Sequence, residues 1–292
     1  MRADPADYRL VSPGNLQAVL SLMAAEPAQW LPIAGGTDVM VLYSAGKLAN
    51  RKLLNIWNIP DLRQIEVFPE SIRIGAACTY TALRGHEIIS REFPLLSAAA
   101  SWTGGIANQN RGTLGGNIAN ASPAADSLPA LLVYDAELTL ISERGQRCVA
   151  YRTFHTGYKQ TALAPDELIR SISLPRRFSG YFSHARKVGA RNAQAISKVC
   201  LAGLGQIAGG AIRDVRLALG SVAPVPLRLS ETEHMLVGKQ IEPSLMEIVK
   251  KRVTQEISPI DDIRSTARYR TGVAANLVAE CMEKLAAAGA KA

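Results

Sequence analysis

The chain of 292 residues is 48% hydrophobic and 20% charged, proportions that are typical of a globular protein and exclude a disordered one. Its net charge of +8 is unevenly placed, since residues 1–175 carry 15 basic and 15 acidic side chains whereas residues 176–292 carry 18 and 10. This break in composition, with Pro175-Arg176-Arg177 at the boundary, predicts two domains, 1–175 and 176–292.

Residues 1–57 have the pattern of a compact β/α unit. Apolar residues at helical spacing after Ser12 predict a first helix, with Ser12 as its N-cap. A strand over 30–33, a helix over 39–45 and a strand over 53–56 are predicted to follow. A pair of glycines separates the first of these strands from its helix, so we expect a tight turn between them.

Residues 58–175 change to shorter strands mixed with helices. Alternating apolar residues over 65–74 predict a β-hairpin. Helices are predicted over 79–86 and 94–102, and a further strand over 137–141. This half therefore combines strands and helices in a different order from the first unit.

The basic part of the chain shows strands first and helices afterwards. Strands are predicted over 197–207 and 211–219, and helices over 245–257 and 272–288. This order indicates an α+β arrangement rather than alternating βαβ units.

Composition also excludes several kinds of function. Cys78, Cys148, Cys200 and Cys281 provide no closely spaced ligand pair, so we expect reduced thiols and no zinc or iron–sulfur site in this chain. The N-terminal residues lack the apolar run of a secretory segment, and no stretch approaches the roughly 18 apolar residues of a membrane helix, so we expect a cytoplasmic protein. Basic residues are dispersed and aromatic residues make up only 5% of the chain, so no nucleic-acid partner is expected.

Two glycine-rich loops are the candidates for ligand binding. The first is Ile33-Ala34-Gly35-Gly36-Thr37-Asp38, and the second is Arg111-Gly112-Thr113-Leu114-Gly115-Gly116-Asn117. Glycines let the backbone turn tightly and bring successive N–H groups close to an anion. Neither loop has the GxGxxG or GxxxxGK[ST] signature, so Rossmann and P-loop sites are not indicated. Together the loops predict a diphosphate held from two sides.

Asp126 follows the second loop at the end of a run of small residues. Its carboxylate could accept hydrogen bonds from the sugar-alcohol hydroxyls of a nucleotide cofactor. The alternative is that Asp126 caps a helix that begins at Ser127.

These motifs together resemble the flavin-binding motifs of the molybdenum hydroxylases, namely the FAD-binding (medium) subunit or domain of the xanthine dehydrogenase and carbon monoxide dehydrogenase group. The resemblance rests on Ala34-Gly35-Gly36-Thr37-Asp38, Thr113-Leu114-Gly115-Gly116-Asn117 and Ala121-Ser122-Pro123-Ala124-Ala125-Asp126. The segments 154–159 and 163–169 resemble the xanthine dehydrogenase branch in particular. The segments 187–199 and 262–267 resemble the C-terminal flavoprotein domain of the family.

The resemblance implies an α+β fold. Residues 1–175 would form a PCMH-type FAD-binding domain made of two α/β subdomains, about 1–57 and 58–175. Residues 176–292 would form a smaller α+β domain like the C-terminal domain of the carbon monoxide dehydrogenase flavoprotein, with an antiparallel sheet and helices.

It also implies which residues bind FAD, noncovalently. The first loop would wrap the pyrophosphate, and the second would close on it from the other side. Asp126 would bind the ribityl or adjoining hydroxyls, Ile169 would pack on the adenine region, and Lys187 would lie near the isoalloxazine ring or the phosphates. Thr103 stands where the family commonly has an aromatic residue. The implied cofactor-binding residues are Pro32, Ile33, Ala34, Gly35, Gly36, Thr37, Asp38, Val39, Thr103, Thr113, Leu114, Gly115, Gly116, Asn117, Asp126, Ile169 and Lys187.

The resemblance implies an electron-transfer function with no catalytic acid or base in this chain. In the family, substrate is hydroxylated at a molybdopterin centre in a large subunit, and electrons pass through two 2Fe–2S clusters in a small subunit to FAD. The flavin then reduces NAD or another acceptor. Molybdopterin and 2Fe–2S are therefore expected only in partner subunits, which would form a heterotrimer with this chain.

Two alternatives stay open at this point. The chain could be a stand-alone flavin oxidase or reductase, a class that often carries a histidine bonded to the flavin. It could also be a non-enzymatic partner-binding module that has lost FAD, for which the Thr103 departure is the support.

Overall fold

The computed structural model describes residues 3–191 and 194–290. Within these ranges the chain forms β-sheets of three, five, four and two strands together with eleven α-helices. The three larger sheets follow one another along the chain, and helices pack against each of them. Among the helices of these ranges, none combines the length and the hydropathy that crossing a membrane requires.

The first part of the chain forms a parallel three-stranded sheet, in which both outer strands pair with the central strand. Its elements are β1 (Arg9–Val11), α1 (Leu16–Ala25), β2 (Trp30–Ile33), α2 (Val39–Ser44) and β3 (Lys52–Asn55). The strand order is β1-β3-β2. Because the strands are parallel, each needs a crossover connection, and the helices provide it.

The first helix begins later than Ser12 would place it. Its N-cap is Asn15, whose Oδ1 accepts a hydrogen bond from the N–H of Ala18 at 2.9 Å. The hydroxyl of Ser12 instead accepts a hydrogen bond from Asn55 Nδ2 at 3.0 Å. The prediction of Ser12 as the cap was wrong, because an asparagine three positions further on is an equally good cap. The helix itself is confirmed, and its apolar face is buried.

An antiparallel five-stranded sheet with helices on its buried face forms next, in the order β4-β5-β10-β6-β7. Its strands are β4 (Ile65–Val67), β5 (Ser71–Gly75), β6 (Glu137–Ser142), β7 (Gly145–Ala150) and β10 (Leu168–Pro175). The helices between β5 and β6 are α3 (Tyr80–Gly85), α4 (Glu87–Glu92), α5 (Pro94–Trp102), α6 (Ile106–Arg111), α7 (Leu114–Ala119) and α8 (Leu128–Val133). A separate two-stranded hairpin consists of β8 (His155–Gly157) and β9 (Gln160–Thr161).

The basic part of the chain forms an antiparallel four-stranded sheet followed by helices. Its elements are β11 (Phe182–Val188), β12 (Val199–Ala208), β13 (Ala211–Gly220), β14 (Leu227–Arg228), α9 (Ser230–Leu236), α10 (Pro243–Glu256) and α11 (Ala267–Gly289). The strand order β11-β12-β13-β14 follows the chain, as in a meander.

Strand β12 separates two hydrophobic cores. Its residues Ala202 and Leu204 belong to the core that the five-stranded sheet shares with its helices, whereas Leu201 belongs to the core beneath α10 and α11. This alternation follows from the two-residue repeat of a strand. The four-stranded sheet is therefore covered on both faces, on one of them by the first part of the chain.

A cluster of ion pairs also joins the two parts, and we call it the Asp135 cluster. Asp135 follows α8, and three arginines from beyond residue 175 converge on its carboxylate. Arg177 lies 2.6 Å and Arg228 2.8 Å from it, and Arg216 pairs with it as well. Three basic side chains of the second part thus form ion pairs with one carboxylate of the first.

The α+β class expected from the sequence is confirmed. Strand β2 and helix α5 begin and end where they were predicted. Strand β7 was not predicted, because none of its residues is buried and the sequence there shows no apolar alternation.

Candidate cofactor site

The first glycine loop (residues 33–38) leads from β2 into α2 and can hold only glycine at two positions. Gly36 has φ of +75°, in the left-handed region that favours glycine. A Cβ atom on Gly35 would lie 1.6 Å from the carbonyl oxygen of Arg111. The first loop therefore approaches the backbone at the start of the second loop more closely than any side chain would allow.

The second glycine loop (residues 111–117) packs against the end of β5. Thr113 caps α7, accepting a hydrogen bond from the N–H of Gly116 at 3.2 Å. The N–H of Gly115 donates to the carbonyl of Ala76 at 2.8 Å, and a Cβ on Gly115 would lie 2.5 Å from that of Ala76. The threonine and the glycines of the motif thus fix the loop to the five-stranded sheet.

A cavity of about 660 Å³ lies between the two glycine loops. Eleven of the seventeen residues predicted to bind the cofactor line it. They are Pro32, Ala34, Gly35, Gly36, Thr37, Asp38, Val39, Thr103, Thr113, Gly116 and Asn117. The structure therefore brings together the two loops that the sequence places about 80 positions apart.

The other six predicted residues do not line this cavity. Ile33, Leu114 and Gly115 belong to the loops but do not line the space between them, and the last two are buried. Ile169 lies in β10 opposite Leu140, and its side chain is buried in the core of the five-stranded sheet. A register shift between Ile169 and Ser171 marks a bulge there, so the orientation of Ile169 could not be read from the alternation of the strand.

Asp126 and Lys187 pair with each other rather than facing this cavity. Lys187 Nζ lies 2.6 Å from Asp126 Oδ2 and also donates to the carbonyl of Trp102 at 3.1 Å. The hydroxyl of Ser197 donates to Asp126 Oδ1 at 2.5 Å. Burial raises the pKa of Asp126, and the ammonium of Lys187 and the hydroxyl of Ser197 oppose that rise. We call these three residues the Asp126 cluster.

The alternative that Asp126 caps α8 is wrong. The N-cap of α8 is Ser127, and no side-chain hydrogen bond caps the helix. The hydroxyl of Ser127 donates to Asn117 Oδ1 at 2.6 Å, so it supports the second loop instead. Asp126 instead pairs with Lys187 of the neighbouring four-stranded sheet. Because Lys187 lies 61 positions away, local sequence could not identify it as the partner.

Several lining residues were missed by sequence reasoning. Tyr80, Asn108 and Asn120 line the cavity from the helices around the second loop, and Lys47 provides its cation. Helical position alone gives no signal for the first three. Tyr80 has a buried hydroxyl with no hydrogen-bond partner in the described part of the chain, and burial raises its pKa well above the usual range.

A second cavity, of about 400 Å³, adjoins the first through Ile196, which lines both. Its wall includes Tyr158 from the β8–β9 hairpin and Arg270 from α11. The guanidinium of Arg270 is buried and donates to the carbonyl of Ser221 at 3.1 Å and to Asp262 Oδ1 at 2.8 Å. The two cavities together extend from the glycine loops to the four-stranded sheet.

The residues present fit a cofactor that carries a diphosphate. In the described part of the chain, the N–H groups of Gly35, Gly36 and Thr37 donate to no other group and are free for an anion. The volume lies within the range of about 300–1,000 Å³ that is usual for such sites. Within residues 3–191 and 194–290, no group of His, Cys, Asp and Glu side chains is arranged to hold a metal ion. Fold and cavity together present, between two glycine loops, a space that suits a nucleotide cofactor.

Comparison with known proteins identifies the family. The model described as the FAD binding domain in molybdopterin dehydrogenase matches residues 6–177, and the model described as the CO dehydrogenase flavoprotein C-terminal domain matches residues 184–285. The chain therefore belongs to the FAD-binding medium subunits of the molybdenum hydroxylases. These are subunits of FAD-dependent oxidoreductases.

Individual relatives agree with this assignment over nearly the whole chain. The xanthine dehydrogenase FAD-binding subunit of Escherichia coli O157:H7 is 33% identical over 280 residues, which cover 95% of this chain and 96% of that protein. The glyceraldehyde dehydrogenase medium chain of Sulfolobus acidocaldarius is 28% identical over 97% of this chain and 99% of that protein. A chain of the reconstituted CO dehydrogenase from Oligotropha carboxidovorans has the same fold, with a TM-score of 0.93 at 24% identity and coverage of 98% and 99%.

Proposed function

We propose that this chain is the FAD-carrying electron-transfer subunit of a molybdopterin-dependent hydroxylase or dehydrogenase of the xanthine dehydrogenase type. Its partners are a small 2Fe–2S subunit and a large molybdopterin subunit, and NAD is the favoured acceptor. The single observation that carries the proposal is the cavity between two glycine loops in a chain of this family. When bound, FAD supplies two-electron chemistry that no side chain of the protein can supply.

Within the chain, we propose that residues 1–175 hold the diphosphate and residues 176–292 close the redox end of the site. The N–H groups of Gly35, Gly36 and Thr37 would donate to phosphate oxygens, and Gly116 and Asn117 would approach from the other side. Asp126 and Lys187 do not line the cavity, so we assign them a supporting role, fixing Trp102 and Ser197 near it. We keep Ile169 only as a residue of the supporting core.

The cysteines of this chain support the proposal that the iron–sulfur clusters lie in a partner subunit. Cys78, Cys200 and Cys281 are buried free thiols, and Cys148 is an exposed free thiol in another part of the fold. The relatives are named for different substrates, xanthine and glyceraldehyde among them, while they share this chain's length. We therefore propose that the substrate is selected in another subunit, and that the complex works in the cytoplasm, where thiols stay reduced.

A stand-alone oxidase with covalent flavin is the less favoured candidate. Among the described residues that line the 660 Å³ cavity there is no histidine and no cysteine that could bond to the flavin. Acid precipitation separates the two candidates, since noncovalent FAD stays in the supernatant and covalent flavin precipitates with the protein.

The decisive experiment is reconstitution of the purified chain with FAD. We expect stoichiometric binding, a visible flavin spectrum after gel filtration, and a higher melting temperature with FAD than without, because a ligand that binds only the native state stabilises it. A chain that stays colourless and shows no thermal shift would show that the cofactor function has been lost.

The acceptor is tested separately on the reconstituted chain. Under anaerobic conditions we expect NADH to bleach the bound flavin, and a ferredoxin or a quinol serves as the competing donor. Bleaching by one of these and not by NADH would contradict NAD as the acceptor without affecting the FAD proposal.

A further inference from the structure

Trp57 contacts two guanidinium groups beside the cofactor cavity. The guanidinium carbon of Arg111 lies 4.0 Å from the centre of the Trp57 ring, and that of Arg63 lies 4.4 Å from it. Arg63 also donates to the carbonyl of Trp57 at 3.0 Å, and the N–H of Trp57 donates to Asn55 Oδ1 at 3.0 Å. Trp57 is thereby fixed to the end of β3, in the same sheet that carries the first glycine loop.

Arg111 touches the first loop in two ways while it begins the second. Its backbone carbonyl is the atom that excludes any side chain from Gly35. Its Nε donates to the carbonyl of Gly35 at 3.4 Å, at the long end of hydrogen-bond distances. The next residue, Gly112, lines the cavity, whereas neither Arg111 nor Trp57 does. Arg111 is thus the residue through which one loop contacts the other.

From these contacts we infer that Arg111, held by the ring of Trp57, is a positioning residue that sets the spacing between the two glycine loops and hence the affinity for the diphosphate of the cofactor. The inference rests on the proposed function. A diphosphate held between the loops needs the free N–H groups of Gly35, Gly36 and Thr37 at a fixed distance from the second loop. If the two loops are already ordered before FAD binds, the entropic cost of ordering them does not reduce the binding free energy.

The contact of Trp57 with the two guanidinium groups contributes little to stability, so a positioning role explains it better. Arg111 and Arg63 are exposed, and Trp57 is partly exposed. Cation–π contacts at exposed sites contribute little to stability because water screens them. Removing them should therefore change the native-state free energy little, while a change in loop spacing acts on every hydrogen bond to the ligand.

The test compares FAD binding by Arg111→Ala, Arg111→Lys, Trp57→Leu and Trp57→Phe, with Arg152→Ala as control. Arg152 is likewise an exposed arginine, but it lies in the turn over 151–153 after β7 and not in a glycine loop. Its substitution therefore removes the same charge outside the two loops. We measure the dissociation constant by the quenching of FAD fluorescence, the visible circular dichroism of the bound flavin, and the urea midpoint of the FAD-free chain.

We expect Arg111→Ala and Trp57→Leu to weaken FAD binding about 10-fold and to change the circular dichroism, with no change in the urea midpoint. Trp57→Phe keeps an aromatic face and should bind within about 3-fold of the wild type. Arg111→Lys keeps the charge but loses the planar stack, so it should fall between the alanine variant and the wild type.

Wild-type affinity in Arg111→Ala would overturn the inference. Wild-type affinity in Arg111→Lys would also overturn it, because the charge of Arg111 alone would then explain its role. A loss of affinity matched by a fall in the urea midpoint would also overturn it, since general destabilisation would then be the cause. If the wild-type chain itself fails to bind FAD, the proposed function fails instead, and the two outcomes are distinguishable.

Discussion

Lys187 Nζ and Asp126 Oδ2 lie 2.6 Å apart in a buried ion pair that joins the four-stranded sheet to the loop before α8. The exposed fraction of the two side chains is only 12% and 8%. In such a setting the cost of removing two charges from water competes with their attraction. The pair is therefore more informative as a junction between the two parts of the chain than as a source of stability.

Removing only one member of this pair should destabilise the protein. We expect Lys187→Met to lower the free energy of unfolding of the FAD-free chain at pH 7 by on the order of 3 kcal/mol, since the Asp126 carboxylate is left buried without its cation. Burial raises the pKa of Asp126 in the folded state, so a fall in pH protonates this carboxyl more readily there than in the unfolded chain. The loss should thus shrink as the pH falls toward 5, and urea unfolding at both pH values measures it.

The double variant Lys187→Met with Asp126→Asn provides the control. It leaves no charge in the cluster, so we expect it to recover most of the stability that either single variant loses. Stability losses that simply add in the double variant would show that the two side chains do not act as a pair.

The Glu92–Arg176 pair should make stability depend on acid pH. Arg176 donates to both carboxylate oxygens of Glu92, at 2.7 and 2.8 Å, and this bonding lowers the pKa of Glu92 to about 2. A carboxyl whose folded pKa is depressed contributes stability above its unfolded pKa of about 4.5 and loses it as the pH falls toward the folded value. The wild type should therefore lose more stability than Glu92→Gln between pH 5 and pH 3.

Denaturant midpoints of the two proteins at several pH values in that range measure the difference. Parallel curves for the wild type and Glu92→Gln would show that the pairing leaves the titration of Glu92 unchanged.

Gly35→Ala should damage the junction of the two loops. The new Cβ would meet the carbonyl oxygen of Arg111 at 1.6 Å, and backbone on both sides would have to move. We expect weaker FAD binding by at least about 10-fold and a loss of stability of about 1–3 kcal/mol. Gly85→Ala is the matched control, since its Cβ would meet nothing within 4 Å. It should be neutral or slightly stabilising, and a similar effect of both substitutions would contradict the prediction.

The close packing of α11 on β12 gives a size-exchange test. A Cβ on Gly203 would lie 2.5 Å from Cys281 Sγ, so Gly203→Ala should cost about 1–3 kcal/mol. Adding Cys281→Ala removes the sulfur and should restore part of that loss. Urea unfolding of the two single variants and the double variant measures the coupling, and additive losses would show that this contact does not limit the helix–sheet distance.

Local pattern predicted the elements well where apolar spacing was strong. The face of α1 and the hairpin of β4 and β5 follow from a 3.6- or two-residue repeat that one stretch of sequence contains in full. Strand β7 has no buried residue, so it carries no such repeat and was missed. Strand pairing forms it, and pairing depends on the neighbouring strand rather than on its own side chains.

The site was predictable at the level of the loops but not of their contacts. A glycine pair indicates a tight turn of the local backbone, so Gly35, Gly36 and Gly116 could be identified as lining residues. That Gly35 meets Arg111, or that Asp126 meets Lys187, depends on how separate sheets pack, which no short motif encodes. Motif resemblance implied that Ile169 packs on the adenine region, and the structure places its side chain in the core beside a bulge in β10.

The Asp135 cluster bears on how chimeras of this chain should be built. One carboxylate in the first part of the chain receives three arginines from the second, so separating the two parts would leave Asp135 without these cations. A C-terminal segment without these arginines, transplanted onto residues 1–175, would leave the Asp135 carboxylate without its partners. A chimera joined near residue 176 would therefore need to carry Asp135 together with its arginines.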